Sequence, residues 1–230
     1  METKIAENLH AVLANIAESE RVSGRPAGSV ELLAVSKTHP AEVVREAVDA
    51  GQVLFGENRI QEAKAKIPDL PAKLRWHLIG HLQSNKIRQA LPLFEMIHGV
   101  DSVDLLDEIQ RISGDLGLFP RILLQVNVAG ESSKFGFKPD RLLSEVERVT
   151  RADRVQVEGL MTIPPLASNP ENSRKYFVQL RQLRDRLEKE FRFPLPQLSM
   201  GMSGDYRIAV EEGATLVRVG TAIFGERRAK

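Results

Sequence analysis

The stretch ELLAVSKTHPAEVVREAVDAGQVLF (31–55) reads as a strand, a helix and a second strand. Its first run, ELLAVS (31–36), is short and apolar, a helical segment near 40–50 follows, and VLF (53–55) resumes the strand pattern. Parallel neighbours need a crossover helix, so this unit predicts a parallel sheet. No G-x-G-x-x-G follows the first strand, which weighs against an open, doubly wound dinucleotide-binding sheet. The stretch also raises a question, because Lys37, a hydrated cation, stands at the tip of what reads as a buried strand.

The same alternation runs along the chain. Further strand candidates are RWHLI (75–79), FEMIH (94–98), RILLQVNV (121–128), VQVEGLM (155–161), PQLSM (196–200) and TLVRVG (215–220), which makes eight in all. Helical patterns lie between them near 58–66, 84–91, 102–113, 139–150, 171–190 and 205–212. Asn169-Pro170 and Asp101-Ser102 look like helix starts. Eight such units in about 200 residues predict an α/β fold, a closed (β/α)8 TIM-type barrel near the small end of its size range. Residues Ile5, Leu9, Val12, Leu13 and Ile16 add an amphipathic N-terminal helix, expected to cover the closed end of the barrel. No repeat, linker or low-complexity tract interrupts the chain, and IPPL (163–166) and FPLP (193–196) read as loop boundaries within one domain over 1–230.

Bulk properties narrow the function. A net charge of +1 gives no global field towards nucleic acid or an anionic membrane. With no cysteine there is no disulfide, thiolate nucleophile or Cys-ligated metal. No H-E-x-x-H or similar ligand spacing occurs, so no metal site is expected. The N-terminus lacks the pattern of a secretory signal and no apolar run approaches the roughly 20 residues of a membrane span, so a cytoplasmic protein is expected.

In such a barrel the chemistry collects where strands end. Lys37 ends the first strand, Glu57, Asn58 and Arg59 follow the second, and the third leads into GHLQSNK (80–86). Asn127 ends the fifth, Met200–Asp205 follow the seventh, and Arg218–Thr221 close the eighth. The last two loops are the usual phosphate site of this fold. Gly204 and Gly220 allow close backbone approach, while Ser203 and Thr221 offer hydroxyls. Strand one adjoins strand eight in a closed barrel, so Lys37 reaches the space beside those loops. There its pKa would be lowered, and a neutral amine attacks a carbonyl to form a Schiff base. A ligand carrying both a phosphate and an aldehyde satisfies both features, whether pyridoxal 5′-phosphate (PLP) or a sugar-phosphate aldehyde. Arg218 reads equally as a salt-bridged structural arginine or as a donor to the ring nitrogen of PLP, which would make the cofactor a weak electron sink.

These residues resemble the PLP homeostasis proteins, also called the proline synthetase co-transcribed or alanine racemase-like N-terminal-domain family. The likeness rests on AVSKTHP (34–40), LFGENRIQE (54–62), WHLIGHLQSNK (76–86), VNVAGESSKFGF (126–137), GLMTIPP (159–165), LSMGMSGDYRIAVEEG (198–213) and VRVGTAIFG (217–225). It implies the barrel of fold-type III PLP enzymes, the alanine racemase N-terminal kind. It further implies a covalent PLP aldimine on Lys37, with Asn58 beside the ring and Arg218 facing the ring nitrogen. Ser203, Gly220 and Thr221 would hold the phosphate, with Gly204 nearby. Arg59 departs from the family, which usually has an aromatic or similar residue there.

The resemblance implies PLP binding, buffering and delivery to PLP-dependent apoenzymes without an established reaction. Alanine racemase-like enzymes take a second acid/base from a tyrosine in a separate β domain. This chain ends about ten residues after its last strand, and Tyr176 and Tyr206 fall in helical segments. A one-sided site with a weak electron sink should be a poor racemase. The alternative is a PLP-dependent racemase or other Schiff-base enzyme, with His77, His81 or Lys134 as second acid/base. His77 reads rather as a packed barrel histidine, His81 as the start of a loop and Lys134 as solvated. A non-PLP adaptor is the remaining reading, for which the basic tail ERRAK (226–230) is weak support. A monomer is expected.

Overall fold

A computed structural model describes residues 3–226, so most of the ERRAK tail lies outside the described residues. Among the described residues, eight parallel strands close into a barrel in sequence order. They are β1 (Glu31–Val35), β2 (Leu54–Glu57), β3 (Arg75–Leu78), β4 (Met96–Val100), β5 (Arg121–Gln125), β6 (Gln156–Met161), β7 (Gln197–Met202) and β8 (Leu216–Val219). The helices are α1 (Lys4–Val22), α2 (Ala41–Asp49), α3 (Ile60–Lys66), α4 (Ile87–Ala90), α5 (Val103–Leu116), α6 (Pro139–Thr150), α7 (Arg174–Phe191), α8 (Tyr206–Glu211) and α9 (Thr221–Phe224). The predicted barrel is therefore the observed one, with strand ends within three residues of the sequence reading. The Ser102 hydroxyl caps α5 by accepting from the Leu105 N–H. Asn169 caps a 3-10 turn that leads into α7.

Both faces of each strand are covered, which is why the strands read as unbroken apolar runs rather than as alternating ones. On β5, Ile122 and Leu124 pack into the core shared with the helices, while Leu123 joins Met96 and Met161 inside the barrel. Leu33, Val35, Leu54 and Leu216 form a second apolar cluster. His77, His98, Ser199 and Arg218 are buried on the same alternation and bring polar groups inside the wall.

Helix α1 does not cover the closed end of the barrel. It packs against α2, α8 and α9 on the outer flank. The Asn8 side chain donates to the Ile223 carbonyl near one end, and Arg25, just beyond the helix, donates to the carbonyls of Val210 and Ala214 near the other. Leu9, Val12 and Ile16 face the core, whereas Leu13 is exposed. No helix among the described residues is long and apolar enough to cross a membrane.

At the start of the strands the barrel carries an ion-pair ladder. Arg75 bonds Glu31 at 2.5 Å and Glu95 at 2.8 Å, and Arg121 bonds both Glu95 and Glu158. The hydrogen bond from Arg75 holds the Glu95 carboxyl below its ordinary range. A carboxyl depressed in the folded state stabilises the fold above its unfolded pKa, and that contribution is lost as pH falls through the folded value. Glu95→Gln should therefore lower the melting temperature by about 2–4 °C at neutral pH and by progressively less as the pH is taken below about 4, towards about pH 2, where the folded carboxyl takes up its proton. Thermal melts of both proteins at the two pH values check this, and an equal offset at both would contradict it.

Candidate functional site

The C-terminal ends of the strands surround a cavity of about 490 Å³, a size typical of small-molecule sites. All seven candidate residues, Lys37, Asn58, Ser203, Gly204, Arg218, Gly220 and Thr221, line it together. Closure of the sheet makes this possible, because β8 pairs with β1 in the register Leu33 to Arg218 and Ala34 to Val219.

Lys37 is not on the strand. Strand β1 ends at Val35, the Ser36 N–H still donates to the Gly56 carbonyl, and the chain then turns, with the His39 N–H donating to the Ser36 carbonyl at 3.1 Å. Lys37 therefore sits half-buried in a turn. Thr38, next in that turn, has φ +67°. That is a left-handed conformation ordinarily given to glycine and strained for a β-branched side chain. Its N–H donates to Glu62 Oε2 at 2.9 Å, which holds the strained residue from α3.

Behind this turn lies a polar cluster that the sequence reading does not foresee. Glu57 is the last residue of β2 rather than the start of a loop, and it is wholly buried. Its Oε1 accepts from the Ser36 hydroxyl at 2.6 Å and from Lys66 Nζ at 2.6 Å. Lys66 also donates to the Ser36 carbonyl at 2.8 Å. Two charged side chains thus grip the hydroxyl and the carbonyl of the residue before Lys37. Burial raises the Glu57 pKa, and the bonds from Lys66 and Ser36 oppose that rise.

Asn58 follows Glu57 directly into the cavity wall. Gly80, after β3, packs so closely that a Cβ there would lie 2.2 Å from the Asn58 carbonyl oxygen. Arg59 turns outward instead, exposed at the start of α3 and 3.8 Å from Glu62. The departure from the family pattern therefore lies outside the cavity lining.

The loops after β7 and β8 are joined to each other. Ser203 Oγ accepts from the N–H groups of Gly220 and Ala222 at 3.1 and 3.3 Å. A Cβ on Gly220 would lie 3.3 Å from the backbone oxygen of Val35, so this loop rests directly on β1. Arg218 is 4% exposed and donates to Ser199 Oγ at 2.6 Å and to the Thr162 carbonyl at 2.8 Å. Burial lowers its pKa to about 10. Hydroxyls, glycine backbone and two cations within one wall suit a ligand that carries phosphate and aldehyde groups.

The mouth is apolar. Ile163, Pro165 and Leu166, read from sequence as a loop boundary, form one wall, and Phe135 forms another. His81 lines the cavity, with its ring stacked on Phe135 at 3.9 Å and its Nδ1 3.1 Å from Asp101 Oδ2. Lys134 pairs with Glu131 at 2.7 Å and donates to the Pro164 carbonyl, so it latches two loops rather than standing in solvent. His77 is buried inside the barrel, and Asn127 does not line the cavity; its side chain donates to the Glu131 and Lys134 carbonyls. Among the described residues no group of three or more His, Asp or Glu side chains is placed to hold a metal ion.

The family model for the alanine racemase N-terminal domain matches residues 8–228. A pyridoxal phosphate homeostasis protein of Aquifex aeolicus is 44% identical, over 96% of this chain and 98% of its own. The human protein of that name is 39% identical, over 92% of this chain and 82% of its own. Among solved structures, PipY of Synechococcus elongatus with PLP bound has a TM-score of 0.81 at 45% identity, covering 91% of this chain and all of that one. Alanine racemase of Clostridium difficile shares the fold at a TM-score of 0.74, with 16% identity over 97% of this chain and 60% of its own.

The buried Glu57–Lys66 pair should be non-additive. Lys66→Met leaves the Glu57 carboxylate without its counter-charge and should cost about 3 kcal/mol. Adding Glu57→Gln removes the stranded charge and should restore more than half of that loss. Urea unfolding of Lys66→Met, Glu57→Gln and the double variant measures it, and losses that simply add would show that the pair is not coupled.

Proposed function

This chain belongs to the alanine racemase N-terminal-domain family, among the PLP homeostasis proteins, and on that footing we propose that it binds pyridoxal 5′-phosphate through Lys37 and serves PLP homeostasis. The observation that carries this reading is the convergence of all seven candidate residues on one cavity. PLP supplies an aldehyde for a lysine amine to capture and a conjugated ring that draws electrons from whatever is attached there. Lys37 provides the amine from its strained turn. Ser203, Gly204, Gly220 and Thr221 receive the phosphate, and Asn58 lies alongside the ring. Arg218, with a pKa of about 10, stays protonated at neutral pH, so it donates to the ring nitrogen and cannot accept from it. An unprotonated ring nitrogen makes a weak electron sink.

The same reading assigns storage and delivery of PLP without turnover. Racemisation needs a proton donor on each face of the substrate. Neither tyrosine lines the cavity: the Tyr206 hydroxyl accepts from Asn15 on the outer flank, and Tyr176 lies on α7. One observation favours a second reading, a PLP-dependent racemase or other Schiff-base enzyme. His81 is in the cavity wall with a carboxylate on its Nδ1, the arrangement that orients a general base. The proposal extends to a single domain over residues 1–230, acting as a monomer in the cytoplasm and passing PLP to PLP-dependent apoenzymes.

Purified protein mixed with PLP should show a near-visible absorption band that borohydride removes, and Lys37→Ala should lack it. Pyridoxal without its phosphate should bind at least tenfold more weakly, since charge-assisted bonds to the loops after β7 and β8 are lost. A colourless wild type would overturn the cofactor assignment. Turnover of an amino acid, abolished in His81→Ala, would move the enzyme reading ahead.

A further inference from the structure

The barrel interior contains a hydrogen-bonded chain that reaches Arg218 from the opposite wall. Arg218 on β8 donates to Ser199 Oγ on β7 at 2.6 Å. Ser199 Oγ is 3.0 Å from His98 Nδ1 on β4, and His98 Nε2 is 3.0 Å from His77 Nδ1 on β3. All four side chains are at most 4% exposed. The far end, His77 Nε2, is buried without a hydrogen-bond partner.

Counting donors and acceptors sets the direction of this chain. A guanidinium only donates, so the Ser199 oxygen must accept from Arg218. If the Ser199 hydroxyl then donates to His98 Nδ1, the His98 proton is on Nε2 and points at His77 Nδ1. Only the His77 Nε2–H is then unmet. In the reverse direction both the Ser199 hydroxyl hydrogen and the His77 Nε2 lone pair lack partners, which is the costlier arrangement. Both imidazoles are neutral: burial holds His77 near a pKa of about 3 and His98 well below its ordinary value. The chain therefore offers the arginine an acceptor that is polarised but uncharged. A carboxylate in that place would neutralise the guanidinium, whereas this chain fixes its position and leaves its charge to act in the cavity.

We propose that His98, backed by His77 and acting through Ser199, is a positioning residue that holds Arg218 against the ring nitrogen of the cofactor. This rests on the PLP reading above. On it, Arg218 is aligned by a residue from across the barrel, and loss of His98 loosens the guanidinium without touching Lys37 or the phosphate loops.

The test uses PLP labelled with nitrogen-15 in its ring, bound to the wild type and to Ser199→Ala, His98→Leu and His98→Asn. The amide of His98→Asn retains an acceptor near the Nδ1 position, so it can still receive the Ser199 hydroxyl. In the wild type the ring-nitrogen resonance should be that of an unprotonated, hydrogen-bonded pyridine. Ser199→Ala and His98→Leu should shift that resonance and raise the PLP dissociation constant roughly tenfold, the loss of one bond to a charged group. His98→Asn should recover most of both. Should His98→Leu fail to fold, Ser199→Ala and His98→Asn carry the same comparison. Wild-type resonances in every variant, or an Asn that behaves no better than Ser199→Ala, would overturn the positioning role while PLP binding stands. A wild type that binds no PLP, or holds a protonated ring nitrogen, would overturn the underlying reading instead.

Discussion

The lateral bonding of β8 to β1 is the constraint on which the site depends. Each strand alone places its polar residues at a rim; only closure brings the Lys37 turn, after β1, beside the glycine and hydroxyl groups after β8. The register Ala34 to Val219 sets the offset between them. Gly220 then approaches Val35 closely enough that a side chain there would crowd the β1 backbone. A one-residue slip of β8 would turn Arg218 out of the barrel and bring an apolar neighbour in, since successive side chains point to opposite faces. The apolar clusters inside the wall, Leu33 with Leu54 and Leu216 on one side and Met96 with Leu123 and Met161 on the other, oppose such a slip.

Within that frame two buried polar clusters act on the two cations of the cavity. Glu57 and Lys66 fix Ser36, the residue before Lys37, and the chain from His77 to Ser199 meets Arg218. Burying charges and imidazoles costs free energy that apolar side chains of similar size would not. Their geometry says what is gained in return, because each cluster contacts a residue whose direction matters to the cavity. The strained Thr38 fits the same pattern: α3 holds it through Glu62, and α3 also supplies Lys66. One short helix thus secures the Lys37 turn at two points.

The alternation of strands and helices, and with it the barrel, was legible because period and spacing are local properties of the chain. The candidate residues were legible for a related reason: in this fold a polar residue at a strand end has few places to go but the rim. What escaped the sequence was whatever depends on three-dimensional neighbours. Glu57 and Lys66 are nine positions apart and unremarkable singly, and only the packing of α3 against β2 pairs them. His98 sits in FEMIH with no local cue that it faces Ser199, a residue 101 positions away. The place of α1 was misjudged because an amphipathic stripe states that a helix has one buried face and not which surface buries it. Lys37 was set at the end of the strand because the apolar run leads almost directly into it, whereas β1 ends at Val35 and the chain turns once the Ser36 N–H has made its bond to the Gly56 carbonyl.

On the proposed reading, the chemistry of the cavity follows from what would face the ring of PLP. Arg218, protonated at neutral pH, would donate a hydrogen bond to the ring nitrogen without giving it a full charge, and electron withdrawal by the ring would then be weak. A lysine, by contrast, captures an aldehyde whether or not the ring is a good electron sink, since that step builds no carbanion. The arrangement would therefore separate two properties that PLP enzymes usually join: retention of the cofactor and activation of a bound amine. Retention would draw on Lys37 and the loops after β7 and β8, which the β8–β1 closure places together. Activation would draw on the ring nitrogen, where the proposed partner is an arginine bonded to Ser199 inside the barrel. His81 at the mouth is turned towards Asp101 and Phe135, so the one imidazole in the cavity wall is itself held by the rim. On the proposed reading, a site built in this way would favour holding the aldehyde over working on what is attached to it.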